Sequence, residues 1–431
     1  MKKKMPANLA VSPFRGVLYN PRRISKMEEV VAPPYDVISP EERKRLAGRH
    51  PYNVIHLILP RGKRPYQKAA LTFRAWLKSG VLVQNGQASL YLYHQTFRIG
   101  KRKILRKGLL ALRRLEPWGR SVFPHEKTLS APKRDRLRLL RECQANLSPV
   151  FSLYSDPRKK VDQLLKKIVR GKPLFNLRTD DGIHHQFWSI SDPAVVRSVC
   201  FFLSGRRLTI ADGHHRYETA LAYSRERRKM KRGNRLPGSR SVMMFFSNID
   251  DPGLVVLPTH RLYHSPLSWD WEKIQKKTAG IFKVRFFPLK KKMEFLKSLE
   301  KTKKMALGVV LPQSPLILFE TDYSRLVRSS LAKGLDPQRL VMGTTLLHEL
   351  FLPRVVGIAQ DKNSIEKDFA FEKEGRSVIR KVTQGTADAG FLLSPPCIKD
   401  VVALSESGKR LSQKTTFFYP KLLSGLVFHK F

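Results

Sequence analysis

Asp212, Gly213, His214, His215 and Arg216 stand together where a short β-branched run from Leu208 ends and a helix-like pattern begins. A strand that feeds a helix through a turn aims the helix's first N–H groups, which have no partner inside the helix, at whatever lies in front of it. Two imidazoles and a guanidinium at the same corner add donors and positive charge. Such a corner suits a phosphate. A plainer reading stays open: Asp-Gly is a common turn, and Asp212 can be an N-cap whose carboxylate accepts from the backbone of His214 or His215.

Other residues of chemical interest lie apart in sequence. His125 and Glu126 precede Lys133 and Arg134 in a Pro-punctuated loop, and on residue types alone Glu126 reads as a surface partner of Lys127 or Arg134. Tyr35 and Asp36 follow a rigid Pro-Pro pair; Asp36 either lines a pocket or caps the helix that opens near Pro40. His260 and Arg261 follow a strand end, where ligands of open sheets often sit, with packing and solvated surface as the competing reading. Lys414, Tyr419 and Lys421 could reach a phosphate, although ordered tail packing is preferred. A metal-dependent hydrolase could draw on His125, His184, His185, His214, His215 and His260. Only His260 and His264 have the close spacing of zinc ligands, and no Glu or Cys stands beside them.

The elements that must position these groups follow from pattern. Ser39, Pro40, Glu41 and Glu42 open a helix with a cap, a first-turn proline and first-turn acids. Pro65 to Ser79 predicts a helix with Ala69, Ala70, Phe73, Trp76 and Leu77 on one side. Strands are expected over 89–100, 104–115, 150–154, 184–190, 241–246 and 254–257, with helices over 135–145 and 193–203 between them. Beyond Trp269, helices alternate with apolar strands at 281–286, 305–311 and 315–319. A helix carrying Leu340, Leu346, Leu347, Leu350 and Phe351 comes next. The pattern predicts a mixed α/β (α+β) fold with a second C-terminal α/β layer or domain. The division is expected near residue 265, giving 1–265 and 266–431, the latter ending in a docked aromatic tail.

Composition sets the outer bounds. The chain has 431 residues, 42% of them hydrophobic, ample for two or three domains. No apolar run approaches the roughly 20 residues of a membrane span. The lysine-rich start is followed by Pro6, Asn8, Ser12 and Pro13 rather than an apolar stretch, so export is not expected. Cys143, Cys200 and Cys397 are scattered, which fits a reduced cytoplasm. Lys plus Arg number 82 against 35 Asp plus Glu, a net charge of +47. That excess argues for nucleic acid or another polyanion, yet it is spread through nearly every segment, as a general surface bias would be.

Several segments resemble one family. Val31 to Ser39, Pro51 to Ile55, Pro124 to Thr128, Ala211 to Thr219, Asp251 to His260 and the C-terminal stretch from Thr416 to Val427 are similar to the DUF1015 family, a widespread set of uncharacterised bacterial and archaeal proteins. A more distant likeness bears on function. Leu208 to Ala220 is similar to the core motif of the ParB/sulfiredoxin fold, closest to SerK-type free-serine kinases. Those kinases read Asp-Gly-His-His-Arg at the strand-to-helix corner and carry an upstream His-Glu pair whose Glu is the catalytic base; His125 and Glu126 match that pair. The segment from Glu126 to Asp212 is longer here, so the resemblance implies an insertion folded out of the way. Sulfiredoxin chemistry needs a loop cysteine where this chain has His214, and no helix-turn-helix of the ParB type is evident.

The resemblance therefore implies a nucleotide-dependent phosphotransferase, with ATP, ADP or CTP as donor and a small hydroxyl compound such as free serine as acceptor. Gly213 and the amides after it would hold the phosphate, and His214, His215 and Arg216 would neutralise its charge. Asp212 would orient an imidazole or help hold Mg²⁺. Glu126 would take the acceptor's proton, and Lys133 and Arg134 would meet the nucleotide or an acidic substrate. Tyr35, Asp36, His125, His260 and Arg261 are further pocket candidates. The alternatives are a non-catalytic nucleotide- or nucleic-acid-binding protein and the metal-dependent hydrolase.

Overall fold

The computed structural model describes residues 9–126, 128, 130–230, 236–358, 367–412 and 414–431. The fold is mixed α/β, and the chain divides into two compact units. The first comprises Met1–Pro124, Thr128–Val255 and Phe418–Phe431, the second His125–Lys127 and Val256–Phe417. The two units part after Val255. The tail, counted from sequence with the C-terminal domain, belongs from Phe418 onward to the first unit. Its aromatic residues find their partners there: Phe428 packs against Tyr19 and Phe73, and Phe431 stacks on Tyr223.

The first unit is built on a sheet of nine strands among the described residues. Its order runs Val122–Pro124, Leu208–Asp212, Val150–Tyr154, Ser241–Asn248, Arg102–Arg114, Leu90–Ile99, His184–Ile190 and Phe175–Arg178, with Val11–Ser12 added beside Arg102–Arg114. Leu208–Asp212 is parallel to Val122–Pro124 and antiparallel to Val150–Tyr154. Strand and helix side chains such as Leu109, Val150, Ile210, Tyr217, Val199 and Met244 share one core. The helix Pro65–Lys78 buries Ala69, Ala70, Phe73 and Trp76, as the apolar spacing predicts. Gly108 admits the ring of Phe245, which a β-carbon there would meet at 2.0 Å.

The second unit holds a sheet ordered Lys283–Phe287, Leu316–Thr321, Met305–Val310, Ala389–Leu393, His260–Tyr263 and Phe369–Glu372. These neighbours pair antiparallel. The leucine-rich stretch expected as one helix is broken into Pro337–Leu340, Gly343–Thr345 and a π-helical Leu346–Val356. Pro353 lies inside the last piece, and a proline has no N–H to give to an α-helical ladder. Its leucines are buried as expected.

Candidate functional site

The Leu208–Asp212 strand is anchored by Leu208 and Ile210, both fully buried. Its register against Val150–Tyr154 shifts between Ile210 and Asp212, so that Asp212 faces Phe151. Such a bulge re-aims the side chain that follows it. Gly213 then takes a left-handed conformation, φ 85°, and is the N-cap of the helix His214–Arg228. A β-carbon on Gly213 would lie 2.8 Å from Arg216 Nε. The turn therefore needs glycine for its backbone and for the space.

Asp212 does not serve as the cap. Its carboxylate accepts a hydrogen bond from Arg216 Nη2 at 2.9 Å and pairs with Lys421 Nζ at 3.3 Å. Burial opposes the charged form, but Lys421 and Arg216 outweigh it and hold the carboxyl well below the usual carboxylate range. Arg216 Nη1 also donates to the Pro149 carbonyl, while its Nε is buried with no hydrogen-bond partner.

Lys421 is held in turn. Its carbonyl accepts from Gln95 Nε2 at 3.0 Å, and Gln95 Oε1 accepts from Arg106 Nε at 3.1 Å and from Arg106 Nη2. Arg106 is 1% exposed. Its guanidinium lies 5.0 Å from the ring centre of Phe151 and 5.9 Å from that of Phe245. Burial pulls its pKa down to about 10, opposed by Tyr93 and Asp212. Arg106 Nη1 is buried and unpartnered.

The other first-unit candidates gather nearby. His215 is kept toward its neutral form chiefly by burial, against the pull of Glu218 and Asp36, with Lys133 and Arg216 adding to the lowering. At neutral pH it thus offers an N–H rather than the positive charge expected of it. Lys133 Nζ pairs with Glu218 at 3.2 Å, and Glu218 also accepts from Thr128 and Trp118. Tyr35 lies under the Arg136 guanidinium at 4.1 Å, and burial pushes its hydroxyl up to about 12. A cavity of about 50 Å³ is lined by Tyr35, Arg136, Asn146, Ser148, Arg216 and Thr219 among others. Asp36 does not cap the following helix, because Ser39 accepts from Glu42 N there. Arg134 is exposed. The helix starts at Ser130, and three-residue spacing sets Arg136, not Arg134, on the face of Lys133.

His125, Glu126, His260 and Arg261 belong to the second unit. His125 is fully buried, hydrogen bonds Thr416 Oγ1 through Nε2 at 2.9 Å, and lies 3.8 Å from Glu126 Oε1. Arg261 is also buried; it donates to His348 Nε2 at 3.2 Å and to the Thr259 carbonyl at 2.6 Å. Burial draws its pKa to about 9, with Glu126 opposing. The structure thus brings His125, Glu126 and Arg261 together in that unit. His260 is a packing residue: its Nδ1 accepts the Leu393 N–H at 3.1 Å, and burial lowers its pKa to about 4.

Sequence reasoning missed Arg106, Gln95, Arg136 and Glu218, and set Lys421 aside as tail. Two signals were available. Arg106 occupies an inward position of a strand, where alternation calls for an apolar residue, and Glu218 follows His214 by one helical turn.

The donor set does not fit the expected Mg²⁺. Both carboxylate oxygens of Asp212 are taken by cations, and among the described residues no three His, Cys, Asp or Glu side chains could hold a metal ion. His184 is engaged with Asn176, and His185 with Tyr93 and Thr179, so the histidines of the hydrolase reading are dispersed. No described helix is long and apolar enough to cross a membrane.

A family model described as "Protein of unknown function (DUF1015)" matches residues 11–338. No curated protein matches the chain. Among solved structures, a free serine kinase in complex with AMP is similar at 12% identity and a TM-score of 0.33, over 72% of this chain and 86% of that one. SbnI from Staphylococcus aureus, with a C-terminal truncation, is similar at 10% identity and a TM-score of 0.36, over 73% of this chain and 85% of that one. A conserved hypothetical protein from Pyrococcus furiosus is similar at 12% identity and a TM-score of 0.31, over 73% and 92% of the two chains. At such TM-scores the likenesses say nothing of chemistry.

Proposed function

From the premise that this chain belongs to the DUF1015 family, which its residues 11–338 match, we propose that it transfers a phosphoryl group from a nucleotide to a small hydroxyl compound such as free serine. One observation carries the reading: a left-handed glycine corner at the head of a helix, with Arg216 and Lys421 on its aspartate and His215 beside it. Phosphoryl transfer asks a protein mainly for position and charge stabilisation, and this corner supplies both.

In the proposed step the acceptor hydroxyl oxygen attacks the terminal phosphorus of ATP, ADP or CTP. A new P–O bond forms as the bond from that phosphorus to the bridging oxygen breaks, and its electron pair leaves with the shortened nucleotide. For the base that takes the hydroxyl proton, the motif resemblance nominates Glu126. Arg216 and Lys421 draw charge from the phosphoryl oxygens, and neutral His215 donates a hydrogen bond. No step is assigned to a metal.

The test is a nucleotide-consumption screen against pooled hydroxyl metabolites. Glu126→Gln is expected to remove the general-base contribution, about 10²–10⁴-fold, while nucleotide binding persists. Inertness of the native chain across all pools rejects the kinase reading.

Nucleic-acid binding has one observation of its own. A groove of about 600 Å³ in the second unit is lined by Lys292, Arg376 and Arg380 together with Glu374, Leu289, Met293 and Ile379. Under this reading Arg376→Ala with Arg380→Ala lowers RNA or DNA affinity and flattens its salt dependence, and Glu126→Gln leaves both unchanged.

A further inference from the structure

Arg106, Arg216 and Lys421 place three cationic side chains around one carboxylate, Asp212. Arg216 and Lys421 touch it directly. Arg106 lies over the ring of Phe151, the residue opposite Asp212 in the strand register. Two guanidinium donors at this place, Arg106 Nη1 and Arg216 Nε, are buried with no acceptor. A buried donor without a partner is costly, and a buried charge without a counter-charge more so. Arg113, a second buried arginine of the Arg102–Arg114 strand with unpartnered nitrogens, has Glu116 at 3.4 Å. Arg106 has no carboxylate that close among the described residues; its neighbours are a neutral amide and two aromatic rings. A water molecule could fill a donor's valence here, but it could not balance the charge.

We propose that Arg106, Arg216 and Lys421 form a built oxyanion subsite behind the corner, one that takes a phosphate or carboxylate group and completes the charge balance around Asp212. Gln95 is a positioning residue, because it fixes both the Lys421 backbone and the Arg106 guanidinium. The idea deepens the phosphotransfer reading and rests on it for the ligand class. The group is either the donor's phosphate or a carboxylate on the acceptor, since both present oxygens to forked N–H donors.

The test needs neither nucleotide nor turnover, so its failure is separate from failure of the kinase reading. The full chain is titrated with inorganic phosphate by calorimetry and thermal unfolding at constant ionic strength set with chloride, and then with acetate. Arg106→Met and Lys421→Met are each expected to weaken the bound anion by about tenfold or more, the effect of one lost charged hydrogen bond. Arg106→Met without anion is expected to melt no lower than the native chain, because it removes an unbalanced buried charge. Arg325→Ala, at an exposed position of the other unit, is expected to leave binding intact. A preference for phosphate assigns the subsite to the donor, and a preference for acetate assigns it to the acceptor. Anion binding that survives both Met variants, falls equally in Arg325→Ala, or is absent from the native chain overturns the proposal. If Arg106→Met does not fold, Lys421→Met decides the matter.

Discussion

Gly213→Ala puts two separable strains into the corner. The first is conformational: at φ 85° a non-glycine residue costs roughly 1–2 kcal/mol. The second is crowding, since the new β-carbon lies 2.8 Å from Arg216 Nε, 2.9 Å from Cζ and 3.0 Å from Nη2. The guanidinium cannot swing aside freely, being bonded to Asp212 and to the Pro149 carbonyl. Breaking one charged hydrogen bond costs a further amount of about 1.5–3 kcal/mol. Together the substitution is expected to cost about 2.5–5 kcal/mol. Gly213→Asn tolerates the left-handed backbone better and keeps mainly the crowding. In an Arg216→Ala background, Gly213→Ala is expected to keep only the conformational part, about 1–2 kcal/mol. Hydrogen exchange of the 214–228 amides in a denaturant series reads the local free energy and avoids treating a two-unit chain as one transition. An identical Gly213→Ala penalty with and without the Arg216 guanidinium would refute the crowding argument, and no penalty in either background would refute both parts.

Asp212→Asn leaves Arg216 and Lys421 against a neutral amide, and a loss of about 3 kcal/mol at neutral pH is expected from denaturant unfolding. Because the folded carboxyl titrates below its unfolded range, its stabilisation is full above about pH 4 and fades as the pH falls below that; the Asn variant is expected to lose this acid-dependent component. His94 and His429, each lowered by burial to about 4, act in a higher window. The unfolded chain binds their protons first, so stability is expected to decline as pH drops from about 6.5 toward 4, by up to about 1.4 kcal/mol per pH unit for each group. His429→Gln is expected to reduce that slope, and an unchanged slope in a pH series of unfolding curves counts against the assignment. Phe428→Ala opens a cavity between Tyr19 and Phe73 and is expected to cost about 3–5 kcal/mol in thermal or denaturant unfolding.

Local patterns were readable where chemistry repeats along the chain. The Pro65–Lys78 helix shows its apolar face every three to four residues, and the corner at Gly213 is marked by the end of a β-branched run. Ser39 betrayed a cap that the structure retains. What stayed hidden was long-range or irregular. Lys421 meets Asp212 through tail packing that no spacing in the sequence encodes. Arg106 looked like one more basic residue in a basic chain, because its burial depends on Gln95, Phe151 and Phe245 from three other strands. The leucine run is π-helical over Leu346–Val356, with Pro353 inside it, an irregularity that apolar spacing alone does not foretell.

The first unit is discontinuous, since Phe418–Phe431 rejoins it only after the whole of Val256–Phe417 has intervened. On a ribosome, Asp212 emerges long before Lys421, so the nascent unit waits with an unfinished core and an aspartate lacking one of its two cations. Competence is thus deferred until Phe418–Phe431 has been made. A deletion variant that joins the tail directly to Val255 would remove that delay, and its refolding would show whether the interruption matters to assembly at all.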